Sequence, residues 1–336
     1  MNKEQPKDPA IKPKRHHYVP RCYLRNFMNG DHLYTLDIKN VQGGFQEPIK
    51  KNHPNRICIE ENFYSIKPEF TGTTFKLDEY DQLFVESEVL HHLENEYRLI
   101  TDKLINSDEL PMNDAARLCD FLLQMKLRNP YWLKDVIEKN KVDWIETAIA
   151  QIYEVQNSAV GPFAWLPTDI RIAAVQALKN ANLNNKDFGK QMQLYGLIMR
   201  SSPDSERNEK YRIALIDCQW ELFTAPQEGP YFITSDNPGH GIKLDGLIYN
   251  SNFTGDFVYY FPISFRHCFA INGFVRDESY SKGMNSKMIK HTVVGDHQVI
   301  KVNNNSMQRI NRLLIASDDW YLKQVRQLNQ KKLPDN

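Results

Sequence analysis

The apolar positions of this 336-residue chain change period near its middle. Over 80–104 they fall at Leu83, Phe84, Leu90, Leu93, Tyr97, Ile100 and Leu104, one face of a long helix. Pro111 interrupts that pattern. Asn113 is placed to cap a second helix running to about Arg128, with Ala116, Leu118, Phe121, Leu122, Met125 and Leu127 as its apolar set. Asn129-Pro130 ends it, because the residue before a proline resists helical geometry. Helical spacing returns over 132–155, 167–178 and 186–199. After a polar stretch at 201–208 the period drops to two, and strands are predicted at 212–217, 219–224, 231–234, 246–249, 257–261, 267–271 and 297–302. A helix over 306–316 and a short strand at 320–322 close the pattern.

Before residue 78 the pattern is short and broken. Leu33-Tyr34-Thr35-Leu36-Asp37-Ile38 alternates as a strand does, Gly43-Gly44 marks a turn, and 57–59 with 63–66 predict a second short pairing. Residues 1–13, rich in lysine and proline, read as a flexible tail ahead of a single domain over 14–325. A helical block at about 78–200 followed by a mainly β region at about 210–305 predicts an α+β fold, the block packed on a mainly antiparallel sheet.

Composition narrows the function classes. A hydrophobic fraction of 41% and an aromatic fraction of 11% support a packed core. With 42 basic and 42 acidic residues, net charge gives no argument for nucleic acid, and any such binding needs the local basic patch of the first 25 residues. The five cysteines stand far apart without a C-x-x-C pair, against a zinc ribbon or a secreted disulfide framework. No apolar run approaches the roughly 20 residues that span a bilayer, and no signal-peptide core is present. The expectation is a cytoplasmic protein with no membrane partner. Walker A, G-x-G-x-x-G and G-x-S-x-G signatures are absent, and the lone Gly239-His240-Gly241 is too little to use.

Candidate chemistry lies at two distant places. The first is Lys14-Arg15-His16-His17-Tyr18-Val19-Pro20-Arg21-Cys22-Tyr23-Leu24-Arg25-Asn26-Phe27, with two histidines, four cations and three aromatics in fourteen positions. Adjacent histidines point different ways, so one joins a given site. His17, directly before Tyr18-Val19-Pro20, is the candidate ligand or proton shuttle, against a plain role as basic surface or structural cap. Arg21, Tyr23 and Arg25 share a face if the segment is extended, and arginine forks suit phosphate while the ring suits stacking on a base. The plain reading is a solvated face. The second place is Ser235-Asp236-Asn237-Pro238-Gly239, after the apolar Tyr231-Phe232-Ile233. A carboxylate at a strand end suits metal binding or acid–base work, yet the same residues make a good turn without chemistry. Between these places, Glu86, Glu88, Glu94 and Glu96 lie on an acidic helix with His91 and His92. Glu88 and His92 share a face at i, i+4, without matching H-E-x-x-H, and a solvated helix face is the plainer reading. Arg128, if buried, needs a carboxylate, and Glu94 and Asp236 are the candidates.

In these segments the chain resembles the bacterial DUF4238 family, a domain of unknown function. The residues that carry the resemblance are His17 to Phe27, the acidic helix around 86–94, the 124–130 segment, Phe232-Ile233-Thr234-Ser235-Asp236-Asn237-Pro238, Phe261-Pro262-Ile263-Ser264 and Asn311-Arg312-Leu313-Leu314-Ile315-Ala316-Ser317. They cover about 15–322 in the expected order. Cys22 stands where an aromatic is usual and Asn129 where a threonine is common, so a hydroxyl at 129 is not essential here. The resemblance implies an accessory protein of bacteria and mobile elements, some members being linked with defence against bacteriophage. The resulting expectation is an anti-phage protein working as a metal-assisted nuclease or phosphoester hydrolase. Asp236 and Glu94 would hold Mg²⁺ or Mn²⁺, His17 would act as general base or ligand, and Arg21, Arg25, Arg128 and Asn237 would hold substrate. The rivals are a non-catalytic sensor gripping nucleic acid or a phage protein, and a small-molecule hydrolase with an enclosed pocket.

Overall fold

The computed structural model describes residues 15–38, 49–67, 70, 75–157, 167–201, 206–250, 253 and 257–330. The tail expected at 1–13 and the turn at Gly43-Gly44 lie outside the described residues. The chain begins with β1 (Arg15–His17), α1 (Arg21–Leu24), β2 (Leu33–Asp37), β3 (Ile49–Asn52) and β4 (Ile59–Glu61). β1 and β4 form a small antiparallel ribbon, so β1, not a second short run at 63–66, is the partner found by the strand near residue 59.

The helical block follows. A π-helical segment at Val85–Leu90 runs into α2 (His91–Asn106), which buries Leu93, Tyr97, Ile100 and Leu104 as their spacing requires. After β5 (Glu109–Pro111) comes α3 (Met112–Leu127), which starts directly behind Pro111. The chain breaks at Asn129, re-enters helix at Pro130 and continues through α4 (Glu138–Asn157), α5 (Thr168–Asn184), α6 (Phe188–Ile198) and α7 (Glu206–Ile216). The strand expected at 212–217 is thus the end of α7. Asn208, Arg212, Leu215 and Ile216 are its buried positions, and that is helical spacing, which the local run of aliphatics disguises.

The β region supplies β6 (Cys218–Thr224), β7 (Thr234–Ser235), β8 (His240–Lys243), β9 (Ile248–Tyr249), β10 (Phe257–Pro262), β11 (His267–Arg276) and β12 (Ser286–Val293). One sheet has the order β5-β12-β6-β11-β10-β8-β9, antiparallel except for β12 beside β6. Helix α8 (Asp296–Ser306), β13 (Leu313–Ala316) and α9 (Trp320–Gln330) complete the described chain. Three expectations are corrected here. Residues 297–302 belong to α8, because Val299, Val302, Asn303 and Ser306 are buried at i, i+3, i+4 and i+7. The apolar Leu313–Ala316 is a strand between β2 and β7 in a second sheet, β3-β2-β13-β7. Residues 320–322 open α9, which buries Tyr321, Leu322 and Val325. The architecture is α+β with antiparallel and mixed sheets.

Helix α3 lies at the centre of the molecule. Every residue from 118 to 130 is buried, yet Asp120, Gln124, Lys126, Arg128 and Asn129 are among them. A polar group removed from water costs free energy unless it finds a partner, so this helix dictates what surrounds it. Asp120 is held by Arg212 of α7 through two bonds, Nε to Oδ1 at 3.2 Å and Nη2 to Oδ2 at 2.6 Å. Removing Asp120 takes the two-bond carboxylate partner from the buried Arg212, with Glu209 left at 3.9 Å. Asp120→Ala is expected to lower the unfolding free energy by about 3–5 kcal/mol in urea titration, and Asp120→Leu combined with Arg212→Met to recover most of the loss. A single-variant loss within about 1 kcal/mol, typical of an exposed pair, would contradict this account.

Candidate functional site

The β1–β4 register sets His16 and His17 on opposite faces. His16 turns inward, 1% exposed, and its Nδ1 accepts the Tyr64 backbone N–H at 2.8 Å while its ring stacks on Tyr64. His17 is half-buried. The backbone of Pro54, which has no N–H, presents its carbonyl to the ring and favours the protonated form. Nε2 is shielded from solvent and has no hydrogen-bond partner among the described residues. Burial, then the positive charge of Arg21, lowers the His17 pKa to about 4; Arg128 lowers it further and Glu94 opposes. At neutral pH this is a neutral imidazole.

Behind His17, Pro20 starts α1, and a 3₁₀ turn at Arg25–Phe27 continues it. Because the segment is helical and not extended, Tyr23 does not share a face with the arginines. Arg21 and Arg25 are exposed, whereas Tyr23 is fully buried. Its hydroxyl meets Thr234 Oγ1 at 2.6 Å and donates to the Pro262 carbonyl at 2.7 Å, so it holds the fold and cannot stack on a base.

Arg128 closes the far side of His17. Its Nη1 donates to Glu94 Oε1 at 2.7 Å, its Nη2 to the His17 carbonyl and its Nε to the Tyr64 hydroxyl at 3.3 Å. Tyr64 in turn donates to the Arg128 carbonyl at 2.8 Å. With 2% exposure and all three nitrogens on internal acceptors, Arg128 orders β1 against α2. Glu94 is therefore the carboxylate that its burial demands.

The second place is the bend after β7. Phe232 through Gly241 are all buried, and sheet pairing serves only Thr234 and Ser235 of β7 and His240 and Gly241 of β8. The Phe232 and Asp236 amides donate to the Phe265 and Leu313 carbonyls, and side chains serve much of the rest. Asn303 accepts from Ile233 N at 3.0 Å and donates to the Tyr231 carbonyl at 2.8 Å, which is why the strand expected at 231–234 shrinks to two residues. Asn129 donates to the Asp236 carbonyl at 2.6 Å, Asn250 to the Asn237 carbonyl at 2.8 Å, and Lys126 to the Pro238 carbonyl and Asn250 Oδ1. Asp236 Oδ1 accepts from Asn311 N at 3.0 Å, Ser235 Oγ accepts from Asn237 N at 3.0 Å, and Asn237 Nδ2 donates to the Arg309 carbonyl at 2.7 Å. Asp236 Oδ2 has no partner among the described residues. Burial raises the Asp236 pKa to about 6, against the backbone amides of 311–313 that lower it.

The two places do meet. Tyr18 and Cys58 lie close enough to Asp236 for its charge to raise both their pKa values, secondary to burial. Arg128 binds the β1 backbone while its neighbour Asn129 binds the bend. Among the described residues no hydrogen bond or ion pair joins His17 to Asp236. Glu94 is committed to Arg128, and Asp236 to a main-chain amide. A Mg²⁺ or Mn²⁺ ion seeks several oxygen ligands converging on one point, and no group of three or more His, Cys, Asp or Glu among the described residues is so arranged. The donor set around Asp236 and Glu94 does not fit such an ion. Glu88, on the π-helical segment, and His92, on α2, are exposed.

Sequence reasoning missed a polar cluster behind the bend. Lys126 is 3% exposed, its Nζ 5.5 Å from the Tyr259 ring centre, and burial pushes its pKa well below that of a free lysine. His240 is fully buried, with Nδ1 at 3.0 Å from Ser306 Oγ, and burial followed by Lys126 lowers its pKa to about 3. His240 Nε2, Tyr249 Oη and Tyr259 Oη have no partner among the described residues. The signal for it was Gly239-His240-Gly241. Gly239 has φ +77°, and a Cβ there would meet Tyr259 Oη at 2.5 Å, while one on Gly241 would meet the Tyr249 ring at 2.4 Å.

Fold and site together define an α+β protein in which a side-chain-braced bend backs a histidine–arginine surface. The chain belongs to the DUF4238 family, described as a protein of unknown function, whose model matches residues 15–319. No curated protein and no solved structure matches it.

The Asp236 environment has a measurable consequence. An unfolded carboxyl titrates near 3.9, and the folded one at about 6. The folded state thus binds this proton more tightly, so the contribution is fully present below about pH 4 and is lost as pH rises through 6. Above that the ionised carboxylate costs on the order of 3 kcal/mol. Asp236→Asn is expected to stabilise the protein by about 2–3 kcal/mol at pH 7.5 and hardly at all at pH 4, read from urea midpoints against wild type at the same pH. Comparison at equal pH cancels the opposite dependence of His17, whose contribution is present above 6.5 and lost as pH falls through 4. A variant less stable at pH 7.5 would mean that the negative charge is itself required.

Proposed function

We propose that this chain is a cytoplasmic anti-phage defence protein of bacteria that acts on the phosphodiesters of nucleic acid, with His17 as the proton-accepting group and Arg21 and Arg25 as the phosphate contacts. The observation that carries the reading is the neutral, half-buried His17 imidazole, near enough to Arg21 to feel its charge, with Arg21 and Arg25 both exposed one helical turn apart. The defence setting rests on the motifs of 17–27 and 232–238. Among the described residues no helix is long and apolar enough to cross a membrane.

A base with a pKa of about 4 is weak, and Arg21 is one reason. A phosphate docked on Arg21 offsets that positive charge and raises the imidazole toward its ordinary value, so substrate itself tunes the base. Glu94 and Arg128 hold the strand that carries His17 and touch no substrate. Glu94 and Asp236 already have partners in Arg128 and the Asn311 amide.

A second reading has its own support. Arg128, Glu94, Asp236 and Asn237 are all committed internally, which suits a binding module that grips nucleic acid or a phage component without cutting it. Purified protein incubated with labelled RNA and DNA, in Mg²⁺, Mn²⁺ or chelator, separates the two. The expected result is metal-independent cleavage, reduced by about 10²-fold or more in His17→Gln, with Arg21→Ala plus Arg25→Ala raising KM and flattening the salt dependence. Both variants are expected to lose phage protection while melting as wild type does. Salt-sensitive binding without cleavage supports the binding module. Cleavage that needs Mn²⁺ and dies in Asp236→Asn returns an ion to Asp236 and Glu94.

A further inference from the structure

A cleft of about 470 Å³ opens on another part of the molecule, between the loop at 228–233, the first turn of α8 and the entry to α9. Its charged lining is wholly acidic: Glu228, Asp296 and Asp318, with no lysine, arginine or histidine. Its aromatic lining is Tyr231, Trp320 and Tyr321. Trp320 is 50% exposed, which is unusual for a tryptophan beside an apolar floor. In a chain whose charges balance at 42 and 42, three carboxylates around one hollow are not a reflection of composition.

Local structure accounts for only part of this charge. Asp318 Oδ1 accepts from Trp320 N at 2.9 Å, a cap for α9. Asp296 stands in the first turn of α8. Two helix N-termini supply at most roughly +0.5 each, which leaves the cleft strongly negative. Glu228 and Asp296 are exposed and form no ion pair among the described residues. Arg266 packs on the Tyr231 ring at 5.6 Å, but its Nη1 donates to the Pro226 and Gln227 carbonyls and it does not line the cleft.

We propose that this cleft binds a primary ammonium carried on an alkyl stem, either a free aliphatic polyamine or the end of a lysine side chain. The stem covers the partly exposed Pro230, Tyr231 and Ile300, the ammonium lies against Trp320, where the ring quadrupole attracts a cation, and Glu228 and Asp296 close on it from the rim. This inference is independent of the His17 reading. The cleft could hold its cation in a protein that never cuts a phosphodiester, and the reverse is equally true.

Titration calorimetry on the full chain, in moderate salt, tests it with three probes: spermidine, the peptide acetyl-Gly-Gly-Lys-Gly-Gly-amide, and uncharged triethylene glycol. The expected result is saturable binding of spermidine or the peptide and none of the glycol. Glu228→Gln combined with Asp296→Asn is expected to weaken it roughly tenfold, with unchanged melting. Spermidine as the tighter probe identifies a free polyamine, and the peptide as the tighter probe identifies a lysine of a partner. Trp320→Ala, at a half-exposed position, serves as an independent variant with the same expected loss should the double variant unfold. Failure of both cationic probes to saturate, or unchanged affinity in the variants, overturns the proposal.

Discussion

A stretch of irregular backbone from Phe232 to Gly241, buried from end to end, is the constraint around which this protein is organised. A buried peptide group left without a hydrogen bond costs about 1–3 kcal/mol, and sheet pairing serves only Thr234, Ser235, His240 and Gly241. The Phe232 and Asp236 amides reach the Phe265 and Leu313 carbonyls, and further groups take their partners from Lys126 and Asn129 at the end of the central helix, Asn303 of a late helix and Asn250 of the loop after β9. Elements far apart in the chain are therefore fastened to the same short segment. The side chains of Ser235, Asp236 and Asn237 work in the same direction, each bonded to main chain.

Helix α3 is the other half of that arrangement. Its apolar positions would bury it in any case, but its polar ones decide its orientation. Asp120 faces Arg212, Lys126 faces the bend, and Arg128 faces Glu94 and the backbone of His17. Gln193 adds a bond to the Leu127 carbonyl at 2.8 Å, filling an acceptor that the helix end leaves open. Rotation of α3 by even a fraction of a turn would break several of these bonds together, so they specify one packing among those the apolar residues alone would tolerate.

This distribution of partners bears on chemistry. The residues most typical of the family are rich in His, Arg, Asp and Asn, and most are engaged in holding the chain together. Among the described residues the atoms left without a hydrogen-bond partner include Nε2 of His17, Oδ2 of Asp236, both amide atoms of Gln124, and the polar atoms of His240, Tyr249 and Tyr259 around Lys126, while the heads of Arg21 and Arg25 are exposed. The two arginines face the surface and suit an anion. The cluster around Lys126 is enclosed behind the bend, where two glycines let tyrosines approach closer than any side chain would permit.

Apolar spacing alone was enough for α2, α3, the α+β class and the strands at β6, β10 and β11, because one-sided burial imprints its period on the residues. It failed where a helix carries β-branched residues, as in α8, or where four aliphatics serve a short buried strand, as in β13. The residue types also showed that a buried Arg128 would need Glu94 or Asp236, since charge cannot be left alone in a core. Which of the two it takes was decided by tertiary structure, and so was the inward turn of Tyr23. Likewise, nothing in the order of residues tells that Asn303 and Asn129 reach across to a bend 70 positions from the first and 107 from the second. Periodicity is a local property of the chain, whereas the partner of a buried polar group is fixed only when distant segments pack.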